Sequence, residues 1–253
     1  MLQIINKERV KHRFLSGFKT YDEHAVVQKA MAIELISYLE NTVPEKCFES
    51  VFEFGCGTGI LTRLFMEKFE TGRYIANDLV EECGHYMKEI SPEIEFVAGD
   101  VESGIEFPSN NSLIISNATL QWIRDKTSFM ERCILNLKRE GIIAFSSFGP
   151  DNMIEIKTIT GNGLNYENNE LISRLAENQL EILYYKEERK VLTFPTVMDV
   201  LKHIKLTGTN GNSTTFWTPT GLKKFAAAYE QFLNSRGEYS LTYHPIICIG
   251  RKT

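Results

Sequence analysis

The sequence predicts an α/β fold, in which a mostly parallel sheet carries helices on both of its faces. Short apolar segments alternate along residues 47–147 with segments whose apolar residues recur at helical spacing. Such alternation implies crossover connections between parallel strands. A glycine-rich stretch directly follows the first predicted strand, where α/β folds of this kind bind nucleotides. The 253 residues therefore predict one large domain with an elaborated second half.

The first half of the chain provides these elements in order. Apolar residues at near-helical spacing predict an amphipathic helix over residues 22–40. Apolar runs bounded by turn residues predict the strands. The strands are expected at 47–54, 74–78, 94–98, 111–118 and 142–147, and the intervening helices at 61–69, 80–90 and 125–139.

The pattern changes after Gly149-Pro150, where polar loops at 160–169 and 207–215 interrupt the chain. Helices are predicted near 170–178 and at 196–206 and 219–233, and strands around 181–185, 190–194 and 245–251. We expect the last of these strands to lie at an edge of the sheet, because an edge accepts a further strand without rearrangement.

Composition excludes several classes of protein. A net charge of −5 and a pI near 5.7 argue against binding nucleic acid through bulk attraction to phosphate. None of the five cysteines has C-x-x-C spacing, so we expect neither a disulfide framework nor a metal site. No apolar run approaches the roughly 18 residues that a membrane span needs. These observations predict a cytoplasmic protein.

The stretch VFEFGCGTGILTRLF, residues 51–65, predicts a nucleotide site between a strand and a helix. Its glycines, Gly55, Gly57 and Gly59, form G-x-G-x-G, whereas the dinucleotide fingerprint is G-x-G-x-x-G. Glycine allows positive φ and close approach of a ligand to the backbone. This spacing by itself is also compatible with a tight turn that binds nothing.

Three acidic residues indicate which nucleotide is bound. Asp78 ends the second strand about 20 residues after the glycines, where a carboxylate binds ribose hydroxyls. Asp100 ends the third strand, placed to accept a hydrogen bond from an adenine amino group. Glu53 precedes the glycines, where it would repel a pyrophosphate but attract an ammonium group. Each Asp could instead cap a helix, but together the acids favour S-adenosylmethionine.

The motifs EFGCGTG, NDL and GDVE resemble those of class I S-adenosylmethionine-dependent methyltransferases. That family has a Rossmann-like seven-stranded sheet with an antiparallel last strand, and it more often has Asp where Glu53 stands. The resemblance implies that the donor is S-adenosylmethionine and the product S-adenosylhomocysteine, with no metal. The residues expected to bind the cofactor are Tyr21, Glu53, Gly55, Cys56, Gly57, Asp78, Leu79, Asp100, Val101 and Asn117.

A second resemblance concerns the acceptor. The segments that carry it are 18–28, 116–122, 148–156, 201–210 and 241–252, and they are similar to the malonyl-carrier-protein O-methyltransferases of biotin synthesis. The resemblance implies methyl transfer to the free carboxylate of a malonyl thioester, on acyl carrier protein or coenzyme A. It implies one domain, 1–253, with lid helices at 1–42, a cofactor-binding core at 48–149 and a substrate-side part at 150–253.

The expected acceptor residues are Gln121, Trp122, Phe148 and Lys205. Trp122 could equally pack in the core. No catalytic base is expected, because a carboxylate with a pKa near ~4 is already ionised at neutral pH.

Residues 182–224 include seven basic and three acidic residues. This local excess of positive charge would attract an acidic carrier protein. A solvated charged face is the simpler alternative. We expect a monomer that binds neither nucleic acid nor membrane. Two other functions remain open: methylation of a free small acid or quinone precursor, and a non-catalytic cofactor- or carrier-binding module.

Overall fold

The computed structural model describes residues 5–161, 163–164, 166, 175, 180–207 and 218–253. Its strands are β1 Cys47–Phe54, β2 Glu70–Asp78, β3 Glu95–Ala98, β4 Asn111–Asn117, β5 Leu137–Phe148, β6 Leu180–Glu187, β7 Lys190–Phe194, β8 Tyr239–Tyr243 and β9 Pro245–Lys252. Its helices are α1 Lys7–His24, α2 Val26–Thr42, α3 Ile60–Lys68, α4 Cys83–Ile90, α5 Lys126–Asn136, α6 Ile154–Thr160, α7 Val197–Leu206 and α8 Pro219–Tyr229, with short 3-10 helices at Leu120–Trp122 and Glu230–Phe232.

The main sheet has seven strands in the order β3-β2-β1-β4-β5-β9-β6. The first five are parallel to one another, and β9 is antiparallel to both of its neighbours. The predicted α/β class and the antiparallel last strand are thus confirmed. Strand order reverses between β1 and β4, so a crevice opens at their carboxyl ends, where ligands of such sheets bind.

The expected edge position of the last strand is wrong. Strand β9 lies between β5 and β6 and forms ladders with both. Residues 245–250 are all buried, and an apolar segment of that kind is most stable with both edges hydrogen-bonded and both faces covered. The edge belongs to β6 instead, where residues 181–187 are all partly or fully exposed. A polar strand is the safer edge, because it does not recruit other chains.

Several elements differ from the sequence-based expectation. The helix expected over 22–40 is two helices that meet at Ala25. Apolar spacing did not predict helix α1 before residue 22, because charged residues interrupt it; only the lid helices at 1–42, implied by the resemblance, cover this segment. The helix begins where the Asn6 side chain accepts the Arg9 N–H. Helix α5 ends at Asn136 rather than 139, because Leu137 already pairs with Asn111 of β4. Helix α6 and strand β8 were not predicted as separate elements.

The other helices and strands predicted from the sequence are confirmed with small shifts of their ends. The helix expected near 170–178 and the loop at 207–215 fall mainly outside the described residues. The division into lid, core and substrate-side part stays a prediction. No helix in the described ranges is both long and apolar enough to cross a membrane.

Apolar side chains form one cluster on each face of the sheet and a third beyond its carboxyl end. We call the third one the C-terminal cluster. It joins α2 to the elements that follow β5, so this helix shares one core with the later part of the chain. Its buried members are Val27, Met31, Phe148, Met153, Val197, Val200, Ile204, Phe225, Tyr229, Leu241 and Tyr243.

Candidate active site

The glycine stretch forms a tight connection from β1 to α3. Gly55, Gly57 and Gly59 all have positive φ, at 69°, 54° and 83°. The N–H groups of Gly55 and Cys56 both donate to the Asn77 carbonyl at 2.7 and 3.0 Å, which ties the turn to β2. A β-carbon at Gly55 would overlap the Thr119 side chain. This position therefore requires glycine for its conformation and for the close approach of β4.

An open cavity lies over this turn, at the carboxyl ends of β1–β4. Every residue expected to bind the cofactor contributes to its lining. The topology thus brings together side chains that are up to about a hundred residues apart in sequence. Their roles in binding stay predictions, but their common location is what those roles require.

Glu53 is the most unusual group of the cavity. It is 1% exposed, and its Oε2 accepts hydrogen bonds from the hydroxyls of Thr62 and Tyr74, each at 2.6 Å. Burial raises the pKa of Glu53 to about 7, the two hydroxyls oppose that rise, and the negative charge of Asp78 adds to it. Such a carboxyl is poised to ionise when a cationic ligand arrives beside it.

Asp78 is held by the backbone of the glycine turn. Its Oδ2 accepts the Gly57 N–H and its Oδ1 accepts the Val80 N–H, both at 2.9 Å. Burial raises the pKa of Asp78, while these backbone hydrogen bonds oppose the rise. Carboxylate oxygens accept more than one hydrogen bond, so each oxygen has capacity left for a ligand hydroxyl.

Asp100 belongs to a group of four charges at the other end of the cavity. Lys7 Nζ of α1 lies 3.1 Å from Asp100 and 2.6 Å from Glu102. Arg124 lies 3.5 Å from each of the same two acids. These ion pairs join the first helix to the carboxyl end of β3. An adenine amino group that reaches Asp100 therefore shares it with two cations.

Helix α1 lines one side of the cavity, and its role as a lid stays a prediction. Tyr21 and Phe14 line the cavity and pack against each other with ring centroids 5.1 Å apart. Thr58 of the glycine turn donates to Asp22 at 2.6 Å, which fastens the carboxyl end of α1 to the turn. Burial, together with the negative charges of Asp22 and Asp78, raises the pKa of Tyr21. Its phenol therefore stays neutral at physiological pH.

The end of β4 is fixed by a chain of hydrogen bonds. Ser146 donates to Asn117 Oδ1 at 2.5 Å, and Asn117 Nδ2 donates to the Gln28 carbonyl at 3.1 Å. The amide side chain predicted to face the ligand thus also anchors α2 and β5. This anchoring holds Asn117 at the cavity wall.

The residues expected to bind the acceptor are not brought together. Trp122 lines the cavity. Gln121 is buried, and its Nε2 donates to the Ala118 carbonyl at 2.6 Å, so it supports the turn after β4. Phe148 is buried in the C-terminal cluster, and Lys205 is exposed on α7. None of the last three belongs to the cavity lining.

Several lining residues were missed from the sequence. Lys7, Lys11 and Phe14 come from α1, and Ala118 and Thr119 come from the turn after β4. The spacing of Lys7, Lys11 and Phe14 along one face of a helix was an available signal. Among the described residues, no group of three or more His, Cys, Asp or Glu side chains could hold a metal ion.

Comparison with known proteins identifies the family. A family profile described as "Methyltransferase domain" matches residues 51–141. The chain is 37% identical to a malonyl-acyl carrier protein O-methyltransferase of Chlorobium phaeovibrioides, over 100% of this chain and 99% of that one. This chain belongs to that family. A relative of the same name from Bacteroides thetaiotaomicron is 36% identical, with 98% and 99% of the two chains covered.

Solved structures of other methyltransferases share the fold. The 1,6-didemethyltoxoflavin-N1-methyltransferase of Burkholderia thailandensis, solved with S-adenosylhomocysteine bound, is 16% identical. It superposes with a TM-score of 0.57 over 97% of this chain and 88% of that one. At this identity the likeness concerns the fold alone. The shared fold is the Rossmann-like methyltransferase architecture, which is consistent with the match to the methyltransferase domain profile.

Proposed function

We propose that this enzyme transfers a methyl group from S-adenosylmethionine to the free carboxylate of a malonyl thioester on acyl carrier protein, early in biotin synthesis. The observation that carries the proposal is the row of carboxyl groups along one cavity. Glu53 lies at the glycine turn, Asp78 beside it and Asp100 at the far end. The identity of the acceptor is inferred from the family, since the relatives are named for methylation of malonyl-acyl carrier protein.

The residues present fit S-adenosylmethionine rather than a dinucleotide. The buried acid Glu53 suits an ammonium group and would repel a pyrophosphate. Asp78 has lone pairs free for ribose hydroxyls, and Asp100 can accept from an adenine amino group. When bound, the cofactor supplies an electrophilic methyl group on a sulfonium.

The protein's own contribution is orientation and exclusion of water. The acceptor carboxylate is ionised at neutral pH, so no side chain has to remove a proton from it. Helix α1 covers the cavity through the Thr58–Asp22 hydrogen bond and the Lys7 ion pairs. A covered site favours the reaction of a carboxylate with a sulfonium, because their charges cancel during transfer and fixed orientation lowers the barrier.

The proposal is tested by following transfer of a radiolabelled methyl group from S-adenosylmethionine to two carrier proteins. We expect a base-labile methyl ester on malonyl-acyl carrier protein and none on acetyl-acyl carrier protein, which lacks the free carboxylate. Equal labelling of both carriers would contradict the proposal. Malonate and other free acids, added as competing acceptors, test the small-acid alternative.

The structure divides the basic residues expected to meet the carrier protein into two groups. Lys186 and Lys190 both pair with Glu34, and Arg189 pairs with Asp151. The second group lies on α7 and α8, is exposed, and makes no ion pair within the part of the chain that the structure describes. We call its members the lysine quartet: Lys202, Lys205, Lys223 and Lys224.

The lysine quartet is the better candidate for a carrier contact. Helices α7 and α8 both pack on the C-terminal cluster through Val200, Ile204 and Phe225, so the four lysines lie on helices that share one apolar cluster. Unpaired cations attract an acidic partner more strongly than cations already neutralised by internal acids. The quartet therefore supports carrier-bound malonate as the acceptor.

Neutralising the lysine quartet by four Lys→Gln changes is expected to raise KM for malonyl-acyl carrier protein about tenfold or more at low salt. The KM for malonyl-coenzyme A should change less than about twofold, because that acceptor lacks the acidic protein. Steady-state kinetics at several salt concentrations measure both.

The control carries the same change of charge at the opposite end of the sheet. Lys46, Lys68, Lys138 and Arg139 lie at the amino ends of β1 and β5 and at the end of α3. Their joint replacement by Gln should leave KM for the carrier within about twofold. Unchanged kinetics in the lysine-quartet variant would instead favour a free small acid as the acceptor.

A further inference from the structure

Ala118, directly after β4, has an unusual backbone conformation. Its φ is 52°, in the left-handed region that non-glycine residues rarely adopt. The neighbouring chain maintains this conformation. The Ala118 N–H points to both the carbonyl and the hydroxyl oxygen of Ser146, each at 3.1 Å, and the Gln121 side chain donates to the Ala118 carbonyl. Strain held in place by its surroundings is typical of functional sites.

Ala118 also lies where two regions of the molecule meet. It lines the cofactor cavity and packs against the C-terminal cluster. Among the described residues, no other side chain does both. Since the side chain of alanine is one methyl group, that methyl stands between the cavity and the elements that follow β5.

The surroundings of Ala118 fit a passage for an acceptor. On the cavity side are Asn117 and Thr119, next to the glycine turn. The C-terminal cluster, against which Ala118 packs, contains Phe148 and Tyr243, and the lysine quartet lies on two of the helices that contribute to this cluster. Burial raises the pKa of Tyr243, and the nearby Tyr21 phenol adds to the rise, so the lid phenol also lies near this boundary.

We propose that the methyl group of Ala118 sets how large an acceptor can reach the cofactor, which makes it a specificity-determining residue. This inference rests on the proposed function. A carrier-bound malonyl group would enter between the C-terminal cluster and the lid and pass the residue at position 118. Alanine leaves space for an unbranched acid and restricts one with a substituent next to the carboxylate.

Two substitutions test the proposal while keeping the left-handed backbone. Ala118→Gly removes the methyl group, and Ala118→Asn enlarges the side chain with a residue that tolerates positive φ. Both are compared with the wild type on malonyl- and methylmalonyl-acyl carrier protein. Binding of S-adenosylhomocysteine and thermal unfolding are measured alongside.

We expect Ala118→Asn to lower kcat/KM for malonyl-acyl carrier protein about 10- to 200-fold, the usual effect of one extra group in a pocket. Its Kd for S-adenosylhomocysteine should stay within about threefold of the wild-type value. Ala118→Gly should raise the ratio of kcat/KM for the methylmalonyl carrier to kcat/KM for the malonyl carrier about tenfold or more.

Two results would overturn the inference while leaving the proposed function intact. One is an unchanged ratio of the two acceptors in both variants. The other is a loss of cofactor binding in Ala118→Asn as large as its loss of activity, with unfolding unchanged. Failure of the wild type to methylate malonyl-acyl carrier protein would instead contradict the proposed function itself.

Discussion

Glu53→Gln is expected to weaken binding of S-adenosylhomocysteine about 100- to 1,000-fold at pH 8. Glutamine has the same shape and can keep the hydrogen bonds from Thr62 and Tyr74, but it cannot neutralise the ammonium group of the ligand. Removing one partner of a buried ion pair typically costs about 3–5 kcal/mol. Isothermal titration calorimetry measures the loss directly.

The wild-type affinity should also depend on pH in a way that this variant lacks. Because burial raises the pKa of Glu53 to about 7, the carboxyl must lose a proton when it pairs with the ammonium group at lower pH. Affinity should therefore rise about tenfold per unit between pH 5.5 and 7 and then level off. The same titration with Glu53→Gln should be nearly flat in this window.

Stability of the ligand-free protein should change in the opposite direction. A raised pKa means that the folded protein binds more protons than the unfolded chain between pH 4.5 and about 7. Stability from this group is therefore fully present below pH 4.5 and is lost as the pH rises toward 7. At pH 8 the Gln variant, which buries no charge, should be about 1–3 kcal/mol more stable than the wild type.

Glu155→Gln provides the matched control. Glu155 is 3% exposed and accepts both the N–H and the hydroxyl of Thr242, but it does not line the cavity. Its replacement should cost stability and leave ligand affinity unchanged. 5′-Methylthioadenosine, which has no ammonium group, should bind wild type and Glu53→Gln equally. If Glu53→Gln lost as much affinity for 5′-methylthioadenosine as for S-adenosylhomocysteine, Glu53 would not be the residue that binds the ammonium group.

Asp78→Asn should weaken S-adenosylhomocysteine by about 30- to 1,000-fold. In the wild type both carboxylate oxygens face backbone N–H groups, of Gly57 and Val80. The amide nitrogen of Asn would point at one of these N–H groups, which would then lose its hydrogen-bond acceptor. The ribose hydroxyls would lose a charged hydrogen-bond acceptor. Hydrogen bonds to charged groups contribute about 1.5–3 kcal/mol each. Equilibrium binding and thermal unfolding together separate the two losses.

Asp125→Asn is the control for this prediction. Asp125 caps α5 by accepting the Ser128 N–H at 3.1 Å, and it lies outside the cavity lining. Its replacement should cost at most about 1 kcal/mol of stability and leave the Kd unchanged. If Asp78→Asn lost stability but bound the ligand normally, Asp78 would only support the glycine turn.

Local sequence was sufficient to predict most of the parallel half of the fold. Strands β1, β2, β4 and β5 contain buried segments with turn residues at their ends, and that pattern depends on neighbours within about ten residues. The positions of Glu53, Asp78 and Asp100 followed as well, because the carboxyl ends of adjacent parallel strands meet at one edge of a sheet. Apolar spacing did not predict helix α1, because charged residues such as Lys7, which pairs with the distant Asp100, interrupt that spacing.

The sequence by itself determined the α/β class, the glycine turn and the three acids at strand ends. Only the tertiary structure decided that β9 inserts inside the sheet and that Glu34 neutralises Lys186 and Lys190. Partners 3 residues apart leave a pattern in the sequence. Partners as far apart as Glu34 and Lys190 leave none, since their meeting depends on how the whole chain packs.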